Sequence, residues 1–167
     1  KVSPNETTVF HSMAKPFLYS KNSPIKIPQN ITNLTKITNE MVADCKSTFH
    51  EFVKFFEFIN GHICIAHNAQ FEKTFVDWYC AFLGIYGDIT WRCTMKMFKH
   101  HYGMGALSKI TNSENAHMAF DDCFHMLRLF NECKQADPNL LKMMAEIELG
   151  DKTKKAIFEN INNRNKT

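Results

Sequence analysis

No Cys-x-x-Cys pair occurs in this chain, and none of its six cysteines (Cys45, Cys64, Cys80, Cys93, Cys123 and Cys133) sits at zinc-ligand spacing with a pair of histidines. That excludes the usual structural zinc modules and the dithiol redox motif. Most of these cysteines fall on apolar stripes and read as small buried thiols in a reducing compartment, so the expected location is intracellular, cytoplasm or nucleus. The chain also lacks any apolar run long enough to cross a membrane or form a signal core, and no membrane partner is expected. Charge of one sign is scarce. The formal net charge is +3. From Asp151 onward, Lys152, Lys154, Lys155, Arg164 and Lys166 oppose only Asp151 and Glu159, so the tail carries the whole excess. The body is balanced, which permits nucleic-acid affinity without demonstrating it. Internal repeats are absent as well. What the chain does have is apolar bulk: 15 Phe and 2 Trp in 167 residues that are 44% hydrophobic, enough to fill the core of one ordinary domain. The expectation is a domain over residues 1–150, then a basic, Asn-rich tail over 151–167, frayed helix or disordered.

Periodicity outlines the elements. Val9 to Leu18 reads as an extended segment stopping at Lys15-Pro16, followed by a loop holding Pro24 and Pro28. Thr38 caps a short helix through Met41. Thr48 and Glu51 fit a capping box, and Phe52, Phe56 and Ile59 then mark one face of a helix ended by Asn60-Gly61. Ile63-Cys64-Ile65-Ala66 has the unbroken apolar character of a strand covered on both faces. A second amphipathic helix is expected with Phe71, Phe75, Trp78 and Phe82 inward and Gly84 as its stop. Another strand follows over Ile89 to Cys93, then a short helix around Met95 to Phe98. Asp121 or Asp122 opens the next helix, with Cys123, Met126, Leu127 and Phe130 as its stripe. Asp137-Pro138 starts a last helix with Leu140, Met144 and Ile147 inward and Gly150 as stop. Such alternation predicts an α/β sheet domain with helices packed on it.

Three places carry candidate chemistry. Ala66-His67-Asn68-Ala69-Gln70-Phe71-Glu72 leads from a strand directly into a helix, and the carboxyl end of a strand in an open α/β sheet is where ligands bind. Glu72 either faces that crevice or simply complements the helix N-terminus. His117 precedes Asp122 by five residues. A histidine near a carboxylate cluster can take a proton from water, although a surface His and an N-capping Asp make the same pattern. Cys93-Thr94-Met95, at the end of a strand, reads alone as packing.

Taken together and in order, these segments resemble one family. Ala-His-Asn-Ala-x-Phe-Glu is similar to the second motif of the DEDDh 3′→5′ exonucleases, the DnaQ-like group that contains the epsilon subunit of bacterial DNA polymerase III. Ala116-His117-Met118-Ala119-Phe120-Asp121-Asp122 resembles their third motif. Cys93-Thr94-Met95 and Ala106-Leu107-Ser108-Lys109-Ile110 match the segments between. Upstream, Phe10 to Pro16 and Ile37-Thr38-Asn39-Glu40-Met41-Val42 match as well, so the likeness runs from about Val9 to Phe130. The resemblance implies an RNase H-like α/β fold, a mixed sheet flanked by helices. It also implies two divalent cations, Mg²⁺ or Mn²⁺, held by four carboxylates, with a histidine as general base and a nucleoside 5′-monophosphate as product. Carried over, Glu72 and Asp122 are metal ligands, His117 is the catalytic base, and Asn68, Thr35 and Lys36 contact substrate. The implied partners are single-stranded DNA or RNA 3′ ends, and a polymerase or other replication or repair protein.

The chain departs from this family in three places. Glu72 stands where the family has Asp, which shifts the carboxylate by roughly one C–C bond in a site of tight geometry. Thr35-Lys36 replaces a His-Gly in the substrate loop. The first motif, Asp-x-Glu-Thr, is not found: Pro4-Asn5-Glu6-Thr7-Thr8 imitates it with Pro in place of Asp, and leaves no room for the hairpin that should follow. The expectation is a domain without its N-terminal strand or strands, which would lie upstream in a parent polypeptide, leaving an unpaired sheet edge. Two functions follow as expectations. One is a metal-dependent 3′→5′ exonuclease, this stretch alone having little activity. The alternative is a degenerate exonuclease-fold module that binds nucleic acid or protein without cleaving.

Overall fold

The computed structural model describes residues 1–3, 6–18, 23–111, 119–147 and Glu159. The chain divides into two compact units, Lys1–Asn60 and Gly61–Thr167.

In the first unit, β1 (Phe17–Leu18) and β2 (Ser23–Pro24) form a small antiparallel pair. The segment from Val9 is extended only in part, with Lys15 bridging to Ser47. The loop expected after Pro28 is instead a helix, α1 (Gln29–Thr35), since a proline just ahead of the first turn forfeits no helical hydrogen bond. The short helix expected from Thr38 does not form. The Asn39 side chain accepts from Ile27 N–H at 2.7 Å and donates to the Ile27 carbonyl at 3.3 Å, tying the segment into turns. Only the Thr38 hydroxyl keeps its capping contact, with Met41 N–H at 3.3 Å. Helix α2 (Thr48–Ile59) buries Phe52, Phe56 and Ile59, as its periodicity predicts. Its cap is Ser47 rather than Thr48, because the Thr48 hydroxyl is committed to the Lys15 carbonyl at 3.0 Å. Phe10 packs on the same helix, 6.0 Å from Phe55 and 5.6 Å from Phe58 between ring centroids.

The second unit is built on a three-stranded sheet in the order β3-β4-β5. Strand β3 (Ile63–Ala66) runs parallel to β4 (Thr90–Cys93), in register from Ile63 opposite Thr90 to Ala66 opposite Cys93. Between them lies α3 (Ala69–Leu83), a parallel crossover that Gly84 ends at φ 66°. The strand expected to be covered on both faces is an edge strand: Ile63 is 66% exposed, and β3 pairs on one side only among the described residues. Helix α3 also turns a different face inward. Ala69 and Val76 are buried, whereas Phe71 and Phe75 are exposed. The i, i+7 pair of small residues lets the helix sit close on the sheet, and the aromatic stripe is rotated outward.

Beyond β4 come α4 (Met95–Tyr102), α5 (Leu107–Thr111) and α6 (Ala119–Ala136). The core joins Met97 and Phe98 of α4 to Leu129 and Cys133 of α6 and to Leu140, with Met126 and Phe130 packed against them. The inward stripe of α6 is therefore Met126, Leu129, Phe130 and Cys133, shifted from the expected one; Cys123 is exposed. The last expected helix is cut short. Asp137 accepts from Asn139 N–H at 2.8 Å and opens a 3-10 helix, Pro138–Met143, after which β5 (Ala145–Glu146) pairs antiparallel with β4. Ile147 N–H reaches the Trp91 carbonyl at 3.2 Å, so the open edge of β4 captures a segment whose side-chain period had suggested helix. Gly150 lies outside the described residues.

Candidate active site

Strand β3 ends at Ala66, and the chain turns into α3 through Asn68, which holds φ 61° and ψ 42°. Asn is among the few side chains that adopt this left-handed conformation readily. Its carbonyl accepts from Phe71 N–H at 2.8 Å, and its exposed side chain makes no cap. This tight turn sets Glu72 in the first helical turn. The Glu72 carboxylate is half-buried, and its Oε2 is fully buried without a hydrogen-bond partner. Burial raises its pKa above the ordinary glutamate value, and its own backbone N–H offsets this only in part.

Asp122 sits in the first turn of α6, half-buried. The side chain that connects it to Glu72 is Cys123. That residue is exposed, yet desolvation by the chain around its sulfur raises the thiol pKa, and the negative charges of Asp122 and then Glu72 push it further the same way. The charges of both carboxylates thus act on one sulfur. Further along α6, His125 Nδ1 is buried and unpartnered, one turn from Asp121 and Asp122. Its spacing from Asp122 was open to view in the sequence and was not weighed there.

His117 lies outside the described residues. Thr35 and Lys36 belong to the unit Lys1–Asn60. Thr35 Oγ1 donates to the Ile31 carbonyl at 2.9 Å, and Lys36 Nζ to the Asn33 carbonyl at 2.8 Å, so both polar groups serve the end of α1.

A family model described as exonuclease, RNase_T, matches residues 10–130. The chain belongs to this exonuclease family. The domain is thus DnaQ-like, and its α/β architecture of helices around a small mixed sheet is RNase H-like. Similar proteins are the PolC-type DNA polymerases III of Caldanaerobacter subterraneus subsp. tengcongensis, Staphylococcus haemolyticus and Clostridium perfringens. The first is 35% identical over 81 residues, 48% of this chain and 6% of that protein. The second is 36% and the third 38% identical over 52 residues, in each case 31% of this chain and 4% of that protein. The chain spans 6% or less of the length of these relatives.

Within this exonuclease-family domain the donor chemistry fits a hard divalent cation in part. A buried carboxylate oxygen with no partner is costly, and an oxygen-seeking cation would relieve that cost. Of the two expected ligands, Glu72 is the one that carries such an oxygen. Among the described residues, no group of three His, Cys, Asp or Glu side chains converges at metal-ligand spacing.

Proposed function

We propose that this domain is a metal-dependent 3′→5′ exonuclease that releases nucleoside 5′-monophosphates from single-stranded nucleic-acid ends. The observation that supports the reading is the Glu72 oxygen that is buried and unpaired at the first turn of α3, in a chain whose residues 10–130 match an exonuclease family. Glu72 and Asp122 hold divalent cations, Mg²⁺ or Mn²⁺. Bound there, the cations supply charge stabilisation for the attacking and leaving oxygens of an in-line phosphoryl displacement. His117 takes the proton from the attacking water. Asn68, exposed at the tip of the turn, contacts substrate, as do Thr35 and Lys36 once released from their bonds to the α1 carbonyls. Binding relies on electrostatics and stacking, with little base readout. The names of the similar proteins favour DNA over RNA and a polymerase as the working context, in an intracellular setting. Residues 1–150 make up the nuclease domain and 151–167 its basic tail.

A second reading has its own support. Only two carboxylates of the expected ligand set are found, and one of them is the longer Glu. A degenerate module that binds nucleic acid or a protein partner without cleaving fits those facts. End-labelled single-stranded oligonucleotide incubated with Mn²⁺ separates the two, with His117→Ala and Asp122→Asn run alongside. Mononucleotide release that needs Mn²⁺ and is lost in both variants supports the nuclease. Equal inactivity of all three proteins with oligonucleotide binding retained supports the module and overturns the nuclease reading.

A further inference from the structure

His67 is the second residue of the motif that leads into Glu72, and the chemistry proposed above gives it no task. Its surroundings do. The ring lies nearly parallel to Phe98, with centroids 5.3 Å apart and planes 23° apart, and Phe98 is fully buried. Nε2 lies 2.5 Å from the Gly105 carbonyl, and Nδ1 lies 3.1 Å from the Thr94 hydroxyl. A carbonyl can only accept, so Nε2 carries the proton; in the neutral ring Nδ1 is then the acceptor, and the Thr94 hydroxyl donates to it at 3.1 Å in preference to the Ala66 carbonyl at 3.4 Å. Thr94 is itself fully buried and donates its backbone N–H to the Ala66 carbonyl at 3.1 Å. Both ring nitrogens are therefore engaged and the ring face is covered. Three chain segments meet on this imidazole: the end of β3, the start of α4 and the loop at Gly105. With no free nitrogen, it cannot act as an acid or base.

We propose that His67 is a positioning residue: by clamping the β3–α3 turn to Thr94 and Gly105, it fixes the first turn of α3 and so the place of the Glu72 carboxylate. The inference rests on the exonuclease reading for its consequence, a cation site, but not for the clamp itself. Burial favours the uncharged ring, lowering its pKa against the smaller opposing effect of the Gly105 bond. The Gly105 carbonyl requires a proton on Nε2, and burial favours leaving Nδ1 without one.

The test compares the wild type with His67→Phe, which keeps the stack on Phe98 and loses both hydrogen bonds, and with His67→Gln, which restores an amide N–H near the Nε2 position. Three readouts are used: ¹⁵N NMR of the histidine ring, Mn²⁺ affinity from water-proton relaxation without substrate, and amide exchange along α3 and α6. The expected results are an Nε2–H tautomer in the wild type and a loss of Mn²⁺ affinity of about tenfold to a hundredfold in His67→Phe, the range found when groups that orient metal ligands are removed. His67→Gln recovers most of that loss. Exchange quickens at Phe71 and Glu72 in His67→Phe, while Leu129 and Cys133 in the core of α6 stay protected. An Nδ1–H tautomer overturns the proposal, and so does equal Mn²⁺ affinity in the wild type and His67→Phe. If the wild type binds no Mn²⁺, the cation reading fails by itself, and unchanged exchange at Phe71 and Glu72 in His67→Phe then overturns the clamp.

Discussion

At the scale of single residues, Glu72 combines features that conflict in a merely structural side chain. One oxygen of its ionised form has lost water without gaining a partner, so burial lifts its carboxyl above the ordinary value of 4.5 although its own backbone N–H offsets part of the rise. The folded chain then holds a proton that the unfolded chain gives up. Stability is greatest below about pH 4.5 and falls as pH rises through the folded value, after which it levels off. Replacing Glu72 by Gln removes the charge and keeps the shape. The variant is expected to melt at a higher temperature than the wild type at neutral pH, with the gap closing below about pH 4. Added Mn²⁺ should reverse the order by stabilising only the wild type. Melting curves across pH, with and without Mn²⁺, check both signs, and a Glu72→Gln protein less stable than the wild type at pH 7 without metal would contradict the orphaned carboxylate. The placement of Glu72 and Asp122 in the first turns of two helices was legible from motif spacing, because a strand-to-helix turn and a helix N-terminus are local devices. The unpaired oxygen was not legible, nor was the clamp at His67, whose partners lie 27 and 38 residues away.

At the scale of elements, periodicity marked where most helices and strands form but not always which side they bury. Helix α2 followed its pattern, burying Phe52, Phe56 and Ile59, while Phe55 and Phe58 beside that stripe take the Phe10 ring. Helix α3 has two candidate faces, one aromatic and one of small residues, and close packing on β3 and β4 selects the small one. Amphipathicity alone cannot rank them, since the choice depends on how near the backbone must come. In α6 the stripe is displaced toward Leu129 and Cys133 because the buried ends of α4 and Leu140 lie there. The C-terminal segment shows tertiary pairing prevailing over local preference, as β4 takes residues 145–146 into the sheet. A pair of substitutions measures the difference between the faces. Leu129→Ala, at a side chain 2% exposed, should cost about 2–5 kcal/mol in urea unfolding. Phe75→Ala, at a side chain 52% exposed, should cost no more than about 0.5 kcal/mol. Similar losses at both positions would mean that the aromatic stripe of α3 is buried after all.

At the scale of the molecule, β3 is an edge strand of the sheet in the unit Gly61–Thr167 among the described residues. Ile63 is 66% exposed there, and the outer edge of β3 has no strand beside it among the described residues. Two exposed aromatic pairs begin next to the site carboxylates: Phe71 with Phe75, 4.8 Å apart, and Phe120 with Phe124, 4.9 Å apart. Among the described residues no helix is long and apolar enough to cross a membrane. An edge strand with unpaired N–H and C=O groups and an apolar residue at its start invites pairing with any extended chain. The chain in isolation is therefore expected to associate with itself as concentration rises. Lysine is the residue natural sheets place on such edges, because bringing two edges together would then bury like charges. Ile63→Lys should shift the association to at least about tenfold higher concentration, an amount equivalent to about 1.4 kcal/mol, while leaving the Leu129 core and its unfolding midpoint unchanged. Sedimentation velocity over a concentration series reads the effect directly. If the wild type stays monomeric throughout, or if Ile63→Lys associates as readily as the wild type, the edge of β3 is not the adhesive surface, and the exposed phenylalanines of α3 and α6 become the next positions to change.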